Sequence, residues 1–132
     1  MEKASLRDLA GRVREALESA DLEAYRELLD PKATWGPPDD SASGCHSRDE
    51  VLSWYRRARA AGAQARVTEV VVGEDKLLVG LRVSRTEEAA RSGGEVERWQ
   101  VLTVRDGHVA DIRGFDDRAV AAARAGVTAR AD

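Results

Sequence analysis

Cysteine, aromatic rings and long apolar runs are all scarce in this chain, and each scarcity closes off a class of protein. A single cysteine, Cys45, leaves no internal disulfide and no cysteine-built zinc site to form. A reducing, cytoplasmic setting is the expectation that follows. No stretch approaches the roughly 18 apolar residues of a membrane span, and the first residues lack the apolar core of a signal peptide. Neither membrane nor secretion is therefore expected. Charge of one sign is not in excess either. The 21 basic and 24 acidic residues are interspersed, as at Arg12, Arg14, Glu15 and Glu18, and sum to -3. Without a basic stripe, nucleic acid is not an expected partner. The two histidines, His46 and His108, stand at no metal-ligand spacing, so no metal is expected. Gly93-Gly94 has neither the strand-to-helix setting nor the lysine of a phosphate loop.

What is present is periodicity. The 132 residues fit one domain, residues 1-132, long enough to bury a core without a staple. Leu6, Leu9, Ala10, Val13, Leu17 and Ala20 recur at steps of three and four, which predicts a helix over 3–20. Asp21 is a suitable N-cap for a second helix over 22–29, whose Leu22, Tyr25, Leu28 and Leu29 face inward and which Pro31 stops. Ala33-Thr34-Trp35 reads as a brief strand running into a loop that lasts to Ser47. Ser47 and Glu50 have the spacing of a capping box, and a third helix follows over 48–61 with Val51, Trp54, Tyr55 and Ala58 on one face.

Near residue 64 the period changes from 3.6 to 2. Strands are predicted over 65–73, 76–86, 96–105 and 108–116, with a Gly-rich loop at 91–94 and a hairpin at Asp106-Gly107. An Ala-rich helix over 117–125 ends at Gly126. Helices first and antiparallel strands afterwards make an α+β fold with the helices on one face of a four-stranded sheet. Both strand faces carry apolar residues: Leu77, Val79, Leu81 and Val83 share one parity, and Trp99 and Val101 oppose Leu102 and Val104. An exposed apolar face on one copy predicts a homodimer through the outer side of the sheet, with Trp99 in the interface.

Several stretches carry a resemblance. They are Ala20-Asp21-Leu22-Glu23-Ala24, Ala33-Thr34-Trp35-Gly36-Pro37-Pro38, Ser47-Arg48-Asp49-Glu50-Val51, and the hairpin from Val101 to Val109 ending in Ile112-Arg113-Gly114-Phe115-Asp116-Asp117. In this order they resemble the nuclear transport factor 2-like superfamily, which includes ketosteroid isomerases, SnoaL-like polyketide cyclases and scytalone dehydratase. The resemblance spans about residues 3-125 and implies a cone-shaped, curved mixed or antiparallel sheet wrapping N-terminal helices. It also implies a pocket for a small apolar organic ligand, in a protein that binds it or acts on it by general acid-base chemistry without metal or cofactor. A fold reused this widely leaves activity to be argued from the site.

The resemblance places Pro37, Val13 and Gln100 at the base, tyrosine and aspartate positions of a ketosteroid isomerase, and Tyr55 at its supporting tyrosine. Proline cannot abstract a proton and valine cannot polarise a carbonyl, so that activity is expected to be absent. In the cyclases the base lies near the end of the last strand, where Asp116 or Asp117 stands; an aspartate there more commonly serves as a helix N-cap. The expected pocket groups are Tyr55, Gln100 and Ile112, with Gly114 leaving space beside Asp116. Trp35 is placed at the pocket mouth or in the core. Trp54 reads most simply as core and is a candidate ligand contact. Cys45 and His46 are adjacent, and adjacent side chains seldom converge as a nucleophile and base must. Arg82, Arg98 and Arg113 face either an anionic ligand or a charge on a neighbouring strand.

Overall fold

The computed structural model describes residues 3–19, 21–36, 47–85, 90–91 and 93–127. The elements described from end to end are four helices and five strands, in the order α1 (Lys3–Ser19), α2 (Leu22–Leu28), β1 (Leu29–Gly36), α3 (Arg48–Ala60), β2 (Gln64–Val72), β3 (Lys76–Ser84), β4 (Glu95–Arg105), β5 (His108–Phe115) and α4 (Arg118–Ala125). Local chemistry sets the boundaries. Asp21 accepts the Ala24 amide at 3.0 Å and Ser47 accepts the Glu50 amide at 3.2 Å, so each satisfies an N-terminal donor that its helix cannot. Asp106 and Gly107 take φ of 52° and 79°, the left-handed pair that a two-residue hairpin needs.

The sheet runs β1-β5-β4-β3-β2 and is curved and unclosed. Its last four strands in sequence pair antiparallel, as their alternation predicts. The expected element boundaries need correction at two places. The brief strand expected at Ala33-Thr34-Trp35 is longer and joins the sheet as a fifth strand, β1, parallel to β5. Ala90 and Arg91, placed respectively outside the predicted elements and in the Gly-rich loop, are helical.

The helices do not share one face. Leu77 pairs with Leu102, and both pack in one cluster with Leu6, Leu9 and Val13 of α1 and Tyr25 and Leu28 of α2. One residue along each strand, Leu78 pairs with Val101, and these pack with Phe115 and with Ala121, Ala122 and Ala125 of α4. Successive strand residues point to opposite sides. Helices α1 to α3 therefore cover the inner face and α4 covers the outer one. The apolar outer face that suggested an exposed dimer surface is filled within the chain: Leu78 is 0% and Val101 1% exposed.

Charge reinforces the seat of α4. Arg118 donates to both oxygens of Glu69, at 2.7 and 2.9 Å, and Trp99 Nε1 donates to the same carboxylate at 3.3 Å. Trp99 faces outward as expected, but against α4 and Glu69. The Arg118 hydrogen bonds chiefly, against a smaller opposing desolvation, hold the Glu69 carboxyl below the usual glutamate range. A depressed carboxylate contributes stability above its unfolded pKa, roughly 4.3, and loses it as pH falls through the lower folded value. Both ties are measurable by urea denaturation. Asp117→Ala removes the N-cap of α4 and is expected to cost about 1 kcal/mol. Glu69→Gln should flatten the fall in stability below about pH 4; an unchanged acid limb would show that the pair holds nothing.

Candidate functional site

Five elements bring aromatic and polar side chains to one place on the inner face. Helix α2 contributes Tyr25, β1 Trp35, α3 Trp54 and Tyr55, β4 Gln100, and β5 Ile112 and Gly114. Register does the alignment: Trp35 lies beside Ile112 and Gln100 beside Gly114. The Trp35 and Tyr55 rings are parallel within 4° at 5.5 Å between centroids. Trp54 stands edge-on to Trp35 at 4.0 Å, and Tyr25 edge-on to Tyr55 at 5.5 Å. Both edge contacts are favourable aromatic geometries.

Polar tips meet inside this aromatic wall. Gln100 Nε2 donates to the Tyr55 hydroxyl at 3.2 Å. Among the described residues, neither buried Gln100 Oε1 nor the buried Tyr25 hydroxyl has a hydrogen-bond partner of normal geometry. Burial first, and then the charge and the hydroxyl of the neighbouring Tyr55, which interacts weakly with that of Tyr25, raise the Tyr25 pKa well above the tyrosine range, so Tyr25 keeps its proton. Unpaired buried polar atoms cost on the order of 1–3 kcal/mol each and are rare in native interiors. There is also room at Gly114, the strand neighbour of Gln100. A methyl group built on Gly114 would meet, among the described residues, only Trp35 Nε1 at 4.0 Å.

The expected groups are only partly united. Trp35, Tyr55 and Gln100 come together, and Ile112, fully buried, forms the wall beside Trp35. Trp54 is in the cluster but is not core: it is 42% exposed. The buried stripe of α3 is centred on Val51, Leu52 and Tyr55, and Trp54 lies roughly 100° round the helix from that centre. Both aspartates are exposed. Asp117 accepts the Val120 amide at 3.2 Å as the N-cap of α4. Strand β5 ends at Phe115, so the alternation no longer fixes the direction of Asp116. Pro37, Cys45 and His46 lie outside the described residues. Arg113 pairs with Asp111 at 3.0 Å on the outer face, and Arg98 donates to the Glu97 carbonyl at 2.8 Å. Tyr25 is the group the sequence reading left as core. Its signal was a phenol among the inward leucines of a short helix.

The family described as a SnoaL-like domain matches residues 10–112. No curated protein matches the chain. A candidate polyketide cyclase from Sinorhizobium meliloti is 25% identical, with a TM-score of 0.66 over 87% of this chain and 100% of that one. A candidate ketosteroid isomerase from Kribbella flavida is 18% identical, with a TM-score of 0.70 over 86% of this chain and 78% of the other. An LEH-like epoxide hydrolase from M. tuberculosis is 15% identical, with a TM-score of 0.64 over 89% and 86%. The last two similarities establish the fold alone. No helix among the described residues is long and apolar enough to cross a membrane.

Proposed function

The chain belongs to the SnoaL-like domain family of the nuclear transport factor 2-like superfamily, and from that premise we propose that its inner sheet face binds a small, mostly apolar organic molecule. Tyr25, Tyr55 and Gln100 supply the hydrogen bonds, and Trp35, Trp54 and Ile112 the apolar walls. The observation that carries this reading is the pair of unpartnered buried atoms, Tyr25 Oη and Gln100 Oε1, beside the gap at Gly114. Two such costs side by side call for a partner that relieves them, and beside aromatic walls a small organic molecule fits that part. Pockets of this type are largely apolar with a few convergent polar groups.

Binding without turnover is favoured over acid-base catalysis. The polar groups that meet in the cluster are two phenols and an amide, all neutral, and neutral donors hold or polarise a ligand without removing its proton. Asp117 is engaged as a cap, which leaves exposed Asp116 as the base that an isomerase, cyclase or dehydratase reading would need. An unsaturated steroid ketone should isomerise no faster than in buffer; turnover well above that rate removes the binding-only reading. Binding itself is measured by calorimetric titration with small aromatic compounds. Saturable heat that Trp35→Ala abolishes supports the site, and heat unaffected by that substitution places the ligand elsewhere.

Self-association is proposed on a narrower surface than the sequence suggested. With Leu78 and Val101 covered by α4, the outer face left for a second copy carries Arg66, Arg82 and Glu97. Light scattering at micromolar concentration decides it: twice the chain mass supports the homodimer, and the mass of one chain removes it.

A further inference from the structure

The two unpartnered atoms of the site differ in kind. Among the described residues, the Tyr25 hydroxyl makes no hydrogen bond of normal geometry, only a weaker interaction with the Tyr55 hydroxyl, while Gln100 Oε1 presents lone pairs with no donor. The amide is oriented by its other end, since Nε2 donates to Tyr55 Oη at 3.2 Å. Tyr55 thus borders both: it receives the Gln100 amide, and its ring lies edge-on to Tyr25 at 5.5 Å. The complement to this pair is a group that accepts one hydrogen bond and donates another. A ketone or ether oxygen only accepts, so it satisfies Tyr25 and leaves Gln100 Oε1 unpaired. A site built to pair a hydroxyl rejects the analogue that lacks it, because its own buried atom is then left without a partner. A hydroxyl does both jobs with one oxygen.

The surrounding groups narrow the class further. Trp35, Trp54 and Tyr55 present ring faces and edges, which suit a flat apolar skeleton. The Tyr25 proton is not lost at any ordinary pH, because burial raises its pKa well above the tyrosine range. A phenolate ligand would set its negative oxygen against the lone pairs of Gln100 Oε1, so the bound form is the neutral one.

Resting on the binding reading above, we infer that the site selects a neutral hydroxyl on a planar, largely apolar ring, a phenol or an enol. The hydroxyl oxygen accepts from Tyr25 and its hydrogen goes to Gln100 Oε1. No bond is made or broken in this step. It is recognition, and it sets a ligand class that differs from the ketones an isomerase of this fold would take.

Four probes of one skeleton test it: p-cresol, 4-methylanisole, 4-methylacetophenone and toluene. Dissociation constants come from calorimetric or resonance titration at pH 7. The expected result is p-cresol tighter than the ether and the ketone by at least about tenfold, with toluene weaker still. In Gln100→Leu the preference for p-cresol over 4-methylanisole should shrink to within about twofold, since the acceptor is gone. Tyr25→Phe, which is isosteric with the native side chain, serves if the leucine variant does not fold; it should weaken p-cresol about tenfold and leave toluene unchanged. Equal affinity for cresol, ether and ketone overturns the hydroxyl inference while the binding site stands. Failure of all four to bind at their solubility limits overturns the binding reading, and this inference with it.

Discussion

Leu78→Asp is expected to cost about 4 kcal/mol or more, enough to unfold most of the chain at room temperature. Leu78 is 0% exposed and packs in the cluster of Val101, Phe115, Ala121, Ala122 and Ala125. Its strand neighbours across the sheet are Val71 and Val101, so no cation stands beside it on either partner strand. The substitution removes roughly 2 kcal/mol of apolar burial and then either desolvates a carboxylate or protonates it, at further cost. An outer face left bare for a second copy predicts something else: a stable single chain that no longer associates. Urea denaturation and light scattering on the same sample separate the two. A midpoint within error of the native chain would contradict the covered face.

Tyr25→Phe is expected to move stability and binding in opposite directions. Among the described residues the buried hydroxyl makes no hydrogen bond of normal geometry, so removing one oxygen from a fully buried ring takes away a desolvation cost and leaves the packing in place. Stability should rise by about 1 kcal/mol. Affinity for a hydroxyl-bearing ligand should fall about tenfold, because the donor is lost from a water-excluded site. Opposed signs are what distinguish a binding group from a structural one, since a structural hydroxyl stabilises the chain whether or not a ligand is present. A loss of stability above about 1 kcal/mol would mean that the Tyr25 hydroxyl has a partner within the fold.

These two residues also mark how far the sequence carries. Local signals sufficed wherever the deciding interaction is local. Asp21, Ser47 and the Asp106-Gly107 pair act within a few residues of themselves, and each sits where its chemistry predicts. Strand alternation put Gln100, Leu102 and Ile112 on one face and Trp99 and Val101 on the other, and the register bears this out. Tyr55 and Gln100 were legible as partners on that basis.

The misses are all long-range. Nothing in Leu29–Gly36 says that it pairs parallel with a strand almost eighty residues on, as Thr34 does with Asp111. Apolar residues on both sheet faces show that something covers each, but not what. An eight-residue helix whose buried residues are all alanine gives too little contrast to reveal its seat. Trp54 followed the same stripe as Val51 and Tyr55 by spacing, yet Leu52 drew the buried face round the helix and left Trp54 at its margin. Asp116 fell to a boundary: with β5 ending at Phe115, parity stopped carrying information one residue too soon.

The central claim is that a ligand sits on the inner face among Tyr25, Tyr55, Gln100 and Trp35. The three tryptophan indoles test it directly, because Trp35 and Trp54 flank that cluster while Trp99 lies on the opposite face, bonded to Glu69 at 3.3 Å. The measurement is a nitrogen-proton resonance titration with p-cresol, following the three indole N–H signals and the side-chain amide of Gln100. The account predicts saturable shifts of Trp35, Trp54 and Gln100 with one common dissociation constant, and a Trp99 signal that stays in place. Shifts confined to Trp99, or no shift at Gln100 while p-cresol binds, would contradict it.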